Sequence, residues 1–435
     1  MRWMRWNVVA WFALAPLAGP AAGADWPQWR GPNHDGTTKD QLATNWPSGG
    51  PKVLWKVPVG ESLGTFVVKG DRAFLFTSRD EDEGLLALDA ATGKELWFKP
   101  LAKTIFESRG GKGPRTTPAV DGDRVYVLGT YFHLACFDAK TGEIVWQHDL
   151  AKEHEAQNDT DGIVQWGNAA SPLVEGNLVI VAGGGVNGQS FLAFDKATGK
   201  LAWKNGKEKI THASPAPATI HGVRQIIFFA QSGLVSVDVK SGMELWRYKF
   251  PFSVSTASTP IVGGKDGDVV YCSAGYGVGA GACRIVKLGD RLLAREIYRQ
   301  RGDEHAFHWT TPVHRDGYLY GIWGFKQFSG GENAGQLKCM DIATGKFTWA
   351  QTGSGFGSGG GTVLAGDHLV VQADDGRIAL VEADPQSYKL AAEARPLRGK
   401  AWTMAVVSNG KVFARTDKEG VCLDLGPATE RAAAD

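Results

Sequence analysis

The sequence predicts an all-β chain folded as an eight-bladed β-propeller of four-stranded antiparallel blades, its ring closed by an N-terminal strand. Three observations predict it. The string "LLALDAATGKELW" (85–97) returns as "LACFDAKTGEIVW" ending at Trp146, "FLAFDKATGKLAW" at Trp203, "LVSVDVKSGMELW" at Trp246 and "LKCMDIATGKFTW" at Trp349. Short runs of alternating apolar residues, separated by turn signals, fill each interval. The interval is about fifty residues, the mark of a propeller or solenoid.

One unit reads in full. In "TTPAVDGDRVYVLGTYFHLACFDAKTGEIVW" an inner strand ends at Val120, a "DGDR" turn follows, and then come "VYVLG", "HLACFD" and "TGEIVW". The Asp of each clear copy (Asp89, Asp138, Asp195, Asp238, Asp341) is placed to accept hydrogen bonds from turn amides and the Thr or Ser hydroxyl. The Gly (Gly93, Gly142, Gly199, Gly242, Gly345) suits a left-handed turn position. The Trp (Trp97, Trp146, Trp203, Trp246, Trp349) then packs over the neighbouring turn and staples one unit to the next. The motif is architecture first.

The blades follow in order. Clear units lie at about 60–97, 114–146, 167–203, 212–246 and 307–349. Residues 256–298 are a further copy in which Tyr298 replaces the Trp and the Asp-x-x-Thr-Gly turn is lost. Residues 357–395 are a seventh, with "LVEADPQSYKLA" where the turn belongs. The eighth, "MAVVSNGKVFARTDKEGVCLDL", holds only three strands. Its missing fourth strand is "VLWKVPV" (53–59), which matches the outer strands "ELWFKPL" and "IVWQHDL". An N-terminal strand completing the last blade removes the open edges of the ring.

Composition bounds the partners. The chain has 435 residues, 47 basic and 46 acidic, and 43% hydrophobic content. A formal net charge of +1 gives no electrostatic footprint for nucleic acid or anionic lipid. Residues 1–24 read as a signal peptide: two arginines before Asn7, the apolar run "VVAWFALAPLAG", and the small-residue site Ala22-Gly23-Ala24. An uncut hydrophobic anchor is the alternative. No later run is long enough for a transmembrane helix. The expected organisation is then a lead-in segment at 25–50, the propeller at 51–427 and a tail at 428–435, in a monomer that is periplasmic or secreted. Cys136, Cys339 and Cys422 stand just before the Asp position and read as small core residues. Cys272 and Cys283 flank a Gly-rich turn, and their pairing stays open. No Cys-x-x-Cys or Cys/His cluster supports zinc.

These units resemble the pyrroloquinoline quinone (PQQ) repeat, A-x-D-x-x-T-G-x-x-x-W, of the quinoprotein dehydrogenase superfamily. The resemblance covers nearly all of the chain after the leader, and "DWPQWRGPNHDG" (25–36) is similar to the segment before the first blade of those enzymes. Similar rings serve without any cofactor, as in the propeller lipoprotein of the outer-membrane assembly machine, so fold does not decide the use. For a dehydrogenase the resemblance implies PQQ with calcium, an adjacent Cys-Cys pair and a Thr-Pro-His-Asp-like segment. This chain has neither the pair nor the segment. At the calcium-binding Glu of the family it has "GGGVNGQS" (183–190), placing Asn187 there as a weak, uncharged candidate metal ligand. Arg115, seven residues before Gly122, matches a cofactor-facing Arg.

In a four-stranded blade the first-to-second and third-to-fourth turns share one face, and they are short here. The other connections are long, Gly-rich and different in every blade: "SRDEDEG", "GGGVNGQS", "AGYGVGAGA", "GFKQFSGGENAG" and the stretch 147–167. Long variable loops on a rigid frame mark the binding surface. Residues just ahead of each inner strand should line the channel mouth on that face, among them Arg115, Trp166, Asn168, His212, Thr256, His308, Trp309 and Trp402. Converging aromatics with a few polar groups suit a flat or sugar-like ligand. The same residues would also serve as packing that plugs the channel. His154, among acids in "KEHEAQNDTDG", fits a metal less well than a solvated loop. "RGDEH" (301–305) reads as an ordinary loop.

Two functions follow. The first is an exported, non-catalytic binding or scaffolding module that holds a protein or polymer partner on its loop face. The alternative is a PQQ-dependent oxidoreductase of alcohols or sugars, with His212 or His308 as the base that removes the hydroxyl proton. With no Cys-x-x-Cys-His for a covalent haem, such an enzyme would need a separate electron carrier. The missing Cys pair and Asp segment favour the first.

Overall fold

The computed structural model describes residues 24–107, 110–157, 166–324, 335–351, 355–357 and 359–426. Residues 1–23 of the expected leader at 1–24, and the tail at 428–435, lie outside the described residues. Eight four-stranded antiparallel blades account for nearly all of the secondary structure. The first comprises Val67–Lys69, Arg72–Arg79, Asp82–Asp89 and Glu95–Lys103. The eighth has Val406–Ser408, Lys411–Arg415 and Glu419–Asp424 from the C-terminal end of the chain. Lys52–Pro58 supplies its outer strand, with Lys52 opposite Asp424 and Pro58 opposite Glu419. The ring is therefore closed by its own N-terminal strand, as the sequence predicts.

The repeat earns its spelling at the joints between blades. Each outer strand carries a bulge just before the aromatic position, as between Cys136 and Phe137 opposite Trp146 and Ile144. The extra residue turns the strand and swings the indole onto the next blade. Trp97 then donates its Nε1–H to the Lys140 carbonyl at 3.1 Å, Trp146 to Lys196 at 3.1 Å, Trp203 to Val239 at 3.0 Å and Trp349 to Asp384 at 2.9 Å. Trp55 of the closing strand does the same to Ala90 at 2.9 Å. Beneath each ring lies a turn that Asp fixes: the Asp138 carboxylate accepts from the amides of Lys140 and Thr141, both at 2.9 Å. The residue opposite the Trp on the third strand is small, Ala87, Cys136, Ala193 or Cys339. That register explains why cysteines recur there.

Three joints depart from the pattern, and in one of them blade seven places Ala392 at the aromatic position, opposite Leu380. Tyr298 stands in for Trp and donates its hydroxyl to Ile342 O at 3.1 Å. Blade five has no Asp-turn for Trp246 to cover, and that indole turns back to Gln225 Oε1 within its own blade at 2.5 Å. A polar cluster holds the joint instead: the Tyr248 hydroxyl donates to Glu296 at 2.8 Å, and Arg299 reaches Tyr248 and the Lys249 carbonyl at 3.1 and 2.7 Å. All five cysteines are buried free thiols. Cys272 pairs with Gly281 and Cys283 with Val270, so the two thiols are diagonal neighbours. Diagonal positions lie about 7–8 Å apart, too far for a disulfide.

A second tie runs round the channel wall. The Thr117 hydroxyl accepts from Thr65 N at 3.1 Å, Ser171 from Thr117 N at 2.9 Å, Ser214 from Ser171 N at 2.9 Å and Thr311 from Thr259 N at 3.1 Å. Each hydroxyl receives the amide of the preceding blade.

The lead-in segment crosses the channel instead of merely preceding the ring. Trp26 bridges Val68 of blade one, and Pro27 O accepts from Val120 N of blade two at 2.7 Å. Trp29 donates to Thr259 Oγ1 at 2.9 Å on the far side. Arg30, 2% exposed, spends its guanidinium on the carbonyls of Asp35, Thr311 and Pro312. Thr37 and Thr38 pair in parallel with Leu364 and Ala365 of blade seven before the chain reaches the closing strand.

The staple is testable at its glycine. Gly142 has φ +72° and a Cβ there would meet Trp97 Cε3 at 2.8 Å, whereas Gly122 has φ +58° and open space. Gly122→Ala should cost about 1 kcal/mol for the left-handed backbone alone, and Gly142→Ala about 2–3 kcal/mol because the indole must also move. Urea unfolding monitored by tryptophan fluorescence reads the difference.

Candidate binding site

The connections ahead of the inner strands converge on one end of the channel and leave a cup of about 340 Å³. Arg115, Trp166, His212, His308, Trp309 and Trp402 line it, six of the eight residues placed there from the sequence. Thr256 is 1% exposed behind the wall, where its carbonyl accepts from His212 N at 2.9 Å. Asn168 is also behind it: its amide donates to Ala170 O at 3.2 Å and accepts from Ala170 N at 3.1 Å, bracing the turn after Trp166. Asn187 is exposed, outside the lining, and donates to Glu155 Oε2 at 2.8 Å. It does not join the residues that the PQQ resemblance assembled around it.

Three further residues of the lining, and Lys400 beside it, were not picked out in the sequence. Trp29 of the lead-in segment lies in its lining, held by its bond to Thr259. Tyr276 comes from the Gly-rich loop "AGYGVGAGA" with φ +59° and accepts or donates at 3.2 Å with His308 Nε2. Asp374 is the one carboxylate in the lining among the described residues. Lys400 places Nζ 3.7 Å from the Trp402 ring centroid and donates to Gly110 O. The aromatic rings touch one another round the wall, with Trp309 and Trp402 at 4.9 Å, His308 and Trp309 at 4.3 Å, and Trp166 and Tyr276 nearly parallel at 6.4 Å. A lone aromatic in a Gly-rich loop was the available signal for Tyr276.

The electrostatics follow from burial. Desolvation lowers His308 to about 3, with His212 adding to the effect, and lowers His212 to about 4, with Arg115 adding. Both rings are neutral at pH 7. His212 Nδ1 lies 2.9 Å from Ser255 Oγ, and a base with so acidic a conjugate acid is too weak to activate that hydroxyl. Burial also lifts the Asp374 carboxyl above its ordinary range. Behind Arg115, Glu83 is fully buried and raised to about 7 by desolvation, against the hydrogen bonds of Thr130 N and Oγ1 at 2.8 and 2.5 Å. The cup can thus hold a flat or apolar group against rings, with Arg115 as its nearest cation.

The other candidate positions resolve as structure. His154 is buried at the end of a short helix, with Nδ1 3.3 Å from Gln189 Oε1, and residues 158–165 of its loop lie outside the described residues. Among the described residues no three His, Cys, Asp or Glu side chains gather as a metal set. Asp303 of "RGDEH" accepts from Gly277 N at 2.7 Å and ties two loops together. Of the loop "GFKQFSGGENAG", residues 325–334 lie outside the described residues.

An outer membrane protein assembly factor BamB from Yersinia pestis is 24% identical over 380 residues, 75% of this chain and 88% of that protein. A quinohemoprotein alcohol dehydrogenase, ADH IIB of Pseudomonas putida, is 35% identical over only 125 residues, 28% of this chain and 17% of that one. Among solved structures, BamB from Moraxella catarrhalis superposes with a TM-score of 0.60 at 14% identity, covering 86% of this chain and 99% of that one. The quinohemoprotein alcohol dehydrogenase ADHIIG of Pseudomonas putida HK5 gives 0.65 at 14% identity, covering 93% and 80%. At such identities the superpositions speak for the fold alone. A family model described as outer membrane protein assembly factor BamB matches residues 81–322, more than half of the chain, and the protein belongs to that family.

Proposed function

We propose that this chain is a non-catalytic binding propeller, acting in the periplasm or beyond, that holds a partner protein on its loop face. The observation that carries the proposal is the cup itself: Trp29, Trp166, Tyr276, Trp309 and Trp402 gather in its lining among the approaches to the inner strands, on the side of the long variable loops. Aromatic rings gathered in a sheltered depression are what anchors a partner's side chain. The weak bases His212 and His308 fit binding better than proton abstraction. The relatives that align along most of the chain are named assembly factors, and the leader pattern at 1–24 suits export.

A second reading has its own support. The tryptophan planes with Arg115 at the rim suit a flat anion such as PQQ, and the local match to a quinohemoprotein dehydrogenase points the same way. Calcium does not fit the described residues: among them Asp374 is the lone carboxylate of the lining, and Asn187 is bonded elsewhere.

Site-specific photo-crosslinking in the expressing cell separates the faces. Tyr131 and Val186 are loop-face residues 42% and 46% exposed, while Met243 and Leu288 sit on the short-turn face at 64% and 52%. A crosslinker at either of the first two should capture a defined protein, and at either of the last two none. Titration with PQQ, followed by tryptophan quenching, should give no saturable one-to-one isotherm with or without calcium. Micromolar, calcium-dependent binding would transfer the case to the second reading.

The buried imidazoles also predict a pH profile. Their folded-state values lie below the ordinary 6.5, so their contribution is complete above that value and is lost as pH falls toward 4. Glu83, raised to about 7, works in the opposite sense between about 4.5 and 7. Replacing both histidines by Gln should reduce the loss of stability between about pH 6.5 and 5 by about 3 kcal/mol, read from urea midpoints.

A further inference from the structure

We infer that the groove beside the cup, between the last two blades, docks an acidic segment of the partner protein. The inference rests on the protein-binding reading above and names the chemistry that the partner would present. The groove is open, about 770 Å³, and is built from three loop-face pieces. These are the end of the closing strand at Lys56–Pro58, the Arg398-Gly399-Lys400 bend before blade eight, and the Thr416-Asp417-Lys418 turn inside that blade.

Its charge is one-sided. Lys56, Arg398, Lys400 and Lys418 line it against two carboxylates, Asp417 and Glu419. Glu419 is taken by Lys56 at 2.9 Å. Arg398 and Lys418 are exposed, and neither has a carboxylate within ion-pair distance among the described residues. Directly before the turn sits Arg415, 1% exposed. Its guanidinium reaches only carbonyls, those of Thr416 at 2.8 Å, Gly60 at 3.0 Å and Asp417 at 3.3 Å. Nη1 is buried with no hydrogen-bond partner among the described residues. No carboxylate lies within ion-pair distance of it among the described residues, and its charge, offset in part by the attraction of Asp417, adds to the positive potential of the groove.

The occupant follows from that distribution. Cations spread along an open groove do not converge on a point, as a site for a single small anion would require. The whole chain carries a formal charge of only +1, too little for a long polyanion but no obstacle to a short acidic stretch. Lys400 joins the groove to the cup, since its Nζ lies over Trp402 and bonds Gly110 O. A partner seated in the cup would therefore lay its flanking residues along these cations.

Rhodamine-labelled octaglutamate and octalysine, titrated with the full chain and followed by anisotropy, test this. Octaglutamate should bind with Kd below about 100 μM in about 50 mM salt and about tenfold more weakly at about 300 mM. Octalysine should not bind. The double variant Arg398→Glu/Lys418→Glu, which alters two exposed side chains, should bind octaglutamate at least about tenfold more weakly with an unchanged unfolding midpoint. No octaglutamate binding, equal octalysine binding, or indifference to the charge reversal would each overturn the groove. Loop-face crosslinks obtained alongside such a result would leave the protein-binding reading standing and remove only the acidic segment.

Discussion

An indole laid against the glycine of the next blade is the contact on which this ring depends. Gly93, Gly142, Gly199, Gly242 and Gly345 each lie within a bond length or two of touching the ring of the blade before, Trp55, Trp97, Trp146, Trp203 and Tyr298. Any side chain at the turn would hold the two blades apart. The Asp of the turn keeps the loop tight enough for the approach, and the bulge aims the aromatic at it. Three residues of the repeat thus serve one joint, which is why they recur together.

Rigidity at the rim frees the opposite face. The staples bind the outer strands at the short-turn end, the hydroxyl belt binds the inner strands along the channel, and the lead-in segment fills the axis. None of these ties uses the long connections. Those loops can therefore differ from blade to blade without loosening the ring, and the cup they surround inherits fixed walls from the approaches to all eight inner strands. Desolvation by that packed wall, more than any neighbouring charge, is what keeps the two imidazoles neutral.

The fold was legible because its determinants are local. Asp-x-x-Thr-Gly and the Trp four residues later are read within one blade, and Trp55 in "VLWKVPV" carries enough of the outer-strand pattern to betray the closing strand. The cup was legible in part for the same reason, since a residue ahead of an inner strand must face the mouth. What escaped was non-local. Nothing in "DWPQWRGPNHDG" says that Trp29 will bond Thr259 across the channel. Asn187 shows the converse failure: its place in the blade matches a metal ligand, but the side chain turns outward to Glu155. The exception at Trp246 is also non-local, because the turn it lacks belongs to the following blade.

The pairing of Lys52–Pro58 with Glu419–Asp424 joins the two ends of the described chain. In synthesis the closing strand emerges first and its partner last, so for most of that interval it has an unsatisfied edge. Contacts of such sequence separation are slow to form, and an unpaired strand is a template for the wrong neighbour. A chain of this design gains from being kept extended until it is complete. Its final folding step is then a circularisation, in which seven assembled blades wait on the return of the eighth.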